Sequence, residues 1–74
     1  MAYINEGDAL IVNGENAIAL CAEYAELYYD AEAREMMRYG LDYGVARVVV
    51  RVLFPKTGVQ TKEWLGVVRR VNNT

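Results

Sequence analysis

The chain has 74 residues, 54% of them apolar, and a formal net charge of −2. A single cysteine and the absence of histidine and serine exclude disulfide stapling, a Cys/His zinc site and the Ser-His-Asp and Cys-His arrangements of nucleophilic catalysis. The charge is unevenly divided: residues 1–44 hold nine acids and two bases, and residues 45–74 hold six bases and one acid, so the total is −7 plus +5.

The first predicted element is a strand over Ala9-Leu10-Ile11-Val12, preceded by the turn-like Asn5-Glu6-Gly7-Asp8 and broken by Asn13-Gly14. Tyr3-Ile4 is a candidate for a small hairpin partner. From Glu15 to Tyr39 the chain is rich in Ala, Glu, Leu and Met, with no internal Gly or Pro, and predicts one long helix. Asn13 or Asn16 caps its start, Arg38 lies in its last turn and Gly40 stops it. Such a helix is roughly 37 Å long at 1.5 Å per residue.

After the short connection Gly40-Leu41-Asp42-Tyr43-Gly44, the β-branched run Val45 to Phe54 predicts a strand. Pro55-Lys56-Thr57-Gly58 is turn chemistry, and Gln60 to Val71 is a second strand. A loop over Pro55–Val59 sets Phe54 opposite Gln60, Arg51 opposite Glu63, and Val50 opposite Trp64. The expected architecture is α+β: one long helix packed on an antiparallel sheet of two to three strands, in the order β-α-β-β. The whole chain, 1–74, is one small domain, with a frayed tail at 71–74 that includes a formal glycosylation sequon, Asn72-Asn73-Thr74.

A chain of this size hides only about 60% of its unfolded surface. Its high apolar content therefore predicts an exposed apolar patch of the kind that marks an interface. The expected helix covers one face of the hairpin (Ala46, Val48, Val50, Val52, Trp64, Val68). The other face (Val45, Arg47, Val49, Arg51, Leu53, Leu65, Val67, Arg69) is left needing cover, and a homodimer supplies it.

Chemistry-bearing motifs are few. No Gly-rich phosphate loop occurs. Cys21 has no base near it in sequence and reads as an inert buried thiol. No cofactor, metal or catalytic residue is expected, and the chain is read as a non-enzyme. Glu23, Glu26 and Asp30, spaced i, i+3, i+7, form an acidic stripe on the expected helix, and Tyr39 and Tyr43 flank the connection beside it. These five residues are the candidate partner-binding set.

The corresponding function is a non-catalytic protein-binding module whose acids occupy a basic surface of a larger protein. In size and charge the chain is similar to small acidic inhibitors of phage and mobile elements, including anti-CRISPR proteins; the likeness is one of composition alone. The alternative is a small dimeric nucleic-acid-binding protein that uses a basic β-ribbon bearing Arg47, Arg51 and Arg69. A pI near 5.0 weighs against that alternative. No apolar run is long enough to span a bilayer, and the N-terminal residues lack signal-peptide character, so a cytoplasmic location without membrane association is expected.

Overall fold

The computed structural model describes residues 3–71 and is mostly sheet. Six strands follow in the order β1 (Ala9–Val12), β2 (Glu15–Ala19), β3 (Tyr24–Tyr28), β4 (Val45–Phe54), β5 (Val59–Trp64) and β6 (Val68–Arg70). One short helix, α1 (Ala31–Met37), lies between β3 and β4, and a 3-10 turn, Leu65–Val67, lies between β5 and β6. The expected α+β arrangement with one long helix is therefore overturned: most of residues 15–28 are strand, and only the last third of the predicted helix is helical. No helix among the described residues is long and apolar enough to cross a membrane.

The departure begins at Asn13-Gly14. Both residues have positive φ, 50° and 81°, and they form a two-residue turn that pairs Val12 with Glu15. Asn-Gly is the preferred pair for such hairpin turns, because its backbone twist matches that of the strands it joins. Once β1 and β2 are paired, alternation decides which side chains go inside. Leu10 and Val12 on β1, and Ala17 and Ala19 on β2, are buried, while Asn16 and Ile18 face out; Glu15, opposite Val12 on the inner face, stays exposed beside the turn. The helix propensity of Ala and Glu gives way to this pairing.

All ladders are antiparallel. β1 pairs with β2 on one side and β6 on the other. β4 carries β2 and then β3 along one edge and β5 along the other. The change of register from Ile18↔Leu53 to Tyr24↔Val49 leaves Cys21, Ala22 and Glu23 as a bulge where the chain bends away from the core. The sheet curls on itself, and its core is Ile4, Leu10, Val12, Ala17, Ala19, Val50, Val52 and Val68, with Cys21, Phe54 and Leu65 packed at the margin.

Ile4 belongs to no strand, yet it is fully buried. Glu23 holds it from both sides of its peptide unit. The Ile4 N–H donates to Glu23 Oε1 at 2.5 Å, and the Glu23 N–H donates to the Ile4 carbonyl at 3.4 Å. Replacing Glu23 with alanine removes a charge-assisted bond and should cost about 1–3 kcal/mol, read as a lower midpoint in urea unfolding. Glu23→Gln keeps an acceptor and should recover part of that loss.

The β4–β5 turn has four residues rather than the five expected. The N–H groups of Thr57 and Gly58 both donate to the Phe54 carbonyl, and Phe54 pairs with Val59. The register is thereby shifted by one: Arg51 faces Lys62, Val50 faces Glu63, and Val49 faces Trp64. Trp64 therefore lies on the opposite face from Val50, not on the core face. β5 also stops at Trp64 instead of running to Val71; the chain turns through Leu65–Val67 and returns beside β1 as β6. The Val71 N–H still donates to the Ala9 carbonyl at 3.0 Å, so backbone pairing reaches the first residue of the expected tail. Residues 72–74, with the sequon, lie outside the described residues.

Candidate functional site

The core ends partway along β4. Val50 and Val52 are fully buried, whereas Val48, two residues earlier on the same face, is 37% exposed. Beyond that point β3 and the first half of β4 form a two-stranded ribbon with α1 and its flanking loops at the far end. None of the β3 or α1 residues belongs to the core cluster. This arm explains the elongated shape, 49 × 29 × 17 Å with a radius of gyration of 14.8 Å. A compact chain of this length would have a radius of gyration of about 11 Å.

The two faces of the arm differ. On the outer face Tyr24, Glu26 and Tyr28 of β3 pair with Val49, Arg47 and Val45 of β4. The Arg47 guanidinium lies 4.0 Å from the Tyr28 ring centroid and 5.3 Å from that of Trp64. Lys62 Nζ bonds Glu26 Oε1 at 2.7 Å, spanning β4 at the level of Val49. Val49, flanked in register by Tyr24 and Trp64, is only 5% exposed as a result. The bond to Glu26 is the main reason the Lys62 ammonium titrates above its usual range. Val49, on the face expected to need a second copy of the chain, is thus covered by the chain's own side chains where β3, β4 and β5 meet, while Val45 and Val67 of that face stay exposed, and the structure gives the expected homodimer no support.

On the inner face the alternate residues are Ala25, Leu27, Ala46 and Val48. All four are exposed, and none is charged. The tip continues this character: Met37, Tyr39, Leu41 and Tyr43 are all exposed, Tyr39 at 73%. Asp30 caps α1 through the Ala33 N–H at 2.7 Å, and Gly40, with φ of 78°, lies just past its end, at the stop read from the sequence. Tyr29 folds back over Gly44, where a Cβ would meet its ring at 2.7 Å. A hydrogen bond with Asp42 raises the pKa of the Tyr29 hydroxyl.

The structure separates the acidic set. Glu23 sits in the bulge bound to Ile4, Glu26 is on β3 bound to Lys62, and Asp30 caps α1. No helix joins them, and each already accepts a hydrogen bond. Tyr39 and Tyr43 both lie in the segment between α1 and β4, open to solvent. The basic set is also divided: Arg47 and Arg51 share the outer face of β4, while Arg69 is on β6 opposite Ile11. The sequence reading missed Leu27, Val48 and Trp64 as surface residues. The alternation of Tyr24, Glu26 and Tyr28 with Ala25 and Leu27 is the signal that places Leu27.

Cys21 is half-buried against the core. An open cleft of about 600 Å³ between the β1–β2 and β4–β5 turns is lined by Gly14, Glu15, Asn16, Phe54, Pro55, Lys56 and Thr57. Among the described residues no group of three or more acidic or thiol side chains is placed to hold a metal ion. In comparisons with protein families, curated proteins and solved structures, the chain matches no family model, no curated protein and no solved structure.

Proposed function

We propose that this chain is a non-catalytic protein-binding module and that the arm is its working surface. The observation that supports this reading is the exposed apolar surface from Leu27 and Val48 to Met37, Tyr39, Leu41 and Tyr43 on a ribbon outside the core. A two-stranded ribbon is marginal in water when nothing covers its apolar face. Apolar patches rimmed by polar groups mark interaction sites, and tyrosine is prominent at interface hot spots. From Asp30 to Gly44 the tip has four acids (Asp30, Glu32, Glu35, Asp42) and two bases (Arg34, Arg38). The surface it suits is apolar at its centre and basic at its rim, which keeps an inhibitor that occupies a basic surface as the finer form of the proposal.

The test is affinity capture with the full chain and with a Tyr39→Ser/Leu41→Ser/Tyr43→Ser variant, each checked by circular dichroism. The expected result is a discrete protein retained by the parent chain and lost, by about tenfold or more, with the variant. Equal retention by both would remove the tip from the interface. Direct binding of random-sequence DNA or RNA that weakens steeply with salt would instead favour the nucleic-acid alternative.

A further inference from the structure

β4 is longer than the strand that covers it. β5 pairs with Val49 to Phe54 and then leaves the sheet at Trp64, so Val45–Val48 has β3 on one edge and no strand on the other. The direction of the backbone groups follows from two bonds. The Leu20 N–H donates to the Arg51 carbonyl, so odd-numbered residues of β4 point their N–H and C=O toward β2 and β3. The Gly58 N–H donates to the Phe54 carbonyl, so even-numbered residues point toward β5. Val50, opposite Glu63, is the last even residue in the β5 ladder. Ala46 and Val48 therefore present two N–H and two C=O groups to an open edge.

This edge has walls. Val45, Ala46, Arg47, Val48, Trp64 and Leu65 line an open groove of about 520 Å³ together with Gly66. The Trp64 ring lies over Gly66, where an added Cβ would come within 2.6 Å of it. A glycine at 66 lets the 3-10 turn fold beneath the indole and leaves the line of β5 vacant beyond Trp64. Arg47 supplies a charge criterion. The ion pairs among the described residues are Arg38–Glu35 and Lys62–Glu26, so the Arg47 guanidinium stacks on aromatic rings and makes no ion pair, while Glu26, its partner across the β3–β4 ladder, is bonded to Lys62.

We propose that the free edge of β4 at Val45–Val48 accepts an extended segment of a partner protein as an added antiparallel strand, with a carboxylate opposite Arg47. The proposal rests on the reading of the chain as a protein-binding module and names how the partner is held. Main-chain bonds to Ala46 and Val48 give the grip, and alternate side chains give the selectivity. Residues opposite Ala46 and Val48 fall on the uncharged inner face beside Leu65 and are apolar. The residue between them falls on the outer face beside Arg47 and is Asp or Glu. The groove spans four residues of β4, about 13 Å of extended chain.

The probe is a random octapeptide library displayed on phage, selected on the full chain. Enriched peptides should share an apolar–acidic–apolar core and should protect the Ala46 and Val48 amides from hydrogen exchange in nuclear magnetic resonance spectra. Val48→Pro removes the outward N–H without touching the β3 ladder, as proline permits on an open edge. It should weaken those peptides by about tenfold or more, and Arg47→Glu should shift their preference from acidic to basic. If Val48→Pro disturbs the spectrum generally, exchange protection in the unsubstituted chain decides instead. Peptides that leave both amides unprotected, or failure to enrich any motif, would overturn the proposal. So would protection that rises with protein concentration alone, which would make a second copy the occupant. A partner lost with the tip tyrosines but retained by Val48→Pro would overturn strand addition and leave the binding-module reading standing.

Discussion

Ile4→Ala should cost the fold about 2–5 kcal/mol, although Ile4 lies five residues before the first strand and in no ladder. Its side chain is fully buried in the cluster with Leu10, Val50, Val52 and Val68. Truncation removes three carbons from a fully buried site and leaves a void, while the bonds from Glu23 hold the Ile4 backbone in place. A domain of this size has a total stability of about 4–11 kcal/mol, so the loss is a large share of it. The measurement is urea unfolding followed by Trp64 fluorescence and by circular dichroism. Tyr3→Ala is the control: Tyr3 is 55% exposed, with Arg70 near its ring, and the effect should be under about 1 kcal/mol. Equal effects at the two positions would mean that the N-terminal segment is not seated in the core. The variant Ile4→Ala/Glu23→Ala should lose less than the sum of its parts, because each change frees the same segment.

How far the fold was legible depended on which signals were local. The strands at Ala9–Val12 and Val45–Phe54 are β-branched or apolar runs bounded by turn residues, and they stand where the sequence places them. Gly40 stops α1 for the reason expected. The long helix failed because composition outweighed two short-range cues. Asn13-Gly14 is a hairpin signal, read only as a break. The period-two pattern of Tyr24, Glu26 and Tyr28 against Ala25 and Leu27 was hidden by residues that favour helices. Asp30, placed in an acidic stripe, is instead a helix start. At Pro55–Gly58 a single residue of loop length moved Trp64 to the other face. It replaced the expected Arg51–Glu63 pair with a Lys62–Glu26 bridge and a Thr61–Glu63 hydrogen bond. The bulge at Cys21–Glu23 and the exit of β5 at Trp64 depend on contacts between distant parts of the chain. Of the candidate site, Tyr39 and Tyr43 were legible because glycines flank their loop; the open edge of β4 was not, since it exists only where another strand ends.

The boundary between core and arm can be located with one substitution made twice. Val50→Asp should abolish the folded state at room temperature, because it buries a carboxylate among Leu10, Val12 and Val52, with the like-charged Glu63 opposite it in register. An uncompensated buried charge costs several kcal/mol on top of the lost apolar packing, comparable to the whole stability of a small domain. Val48→Asp places the same carboxylate two residues earlier on the same strand and face, at a side chain already 37% exposed. Its cost should stay below about 1 kcal/mol, and it should raise solubility by interrupting the uncharged stripe of Ala25, Leu27 and Ala46. Circular dichroism and amide spectra separate the outcomes: Val50→Asp loses the dispersed native pattern, and Val48→Asp keeps it. If both unfold, the arm is part of the cooperative core and the surface assigned to binding is structural. If Val48→Asp folds but still binds an extended acidic peptide with unchanged affinity, the inner face contributes nothing to recognition. The physical reason for the contrast is that β4 is one continuous strand in two environments, enclosed by the curled sheet from Val50 onward and open to solvent on its inner face before it.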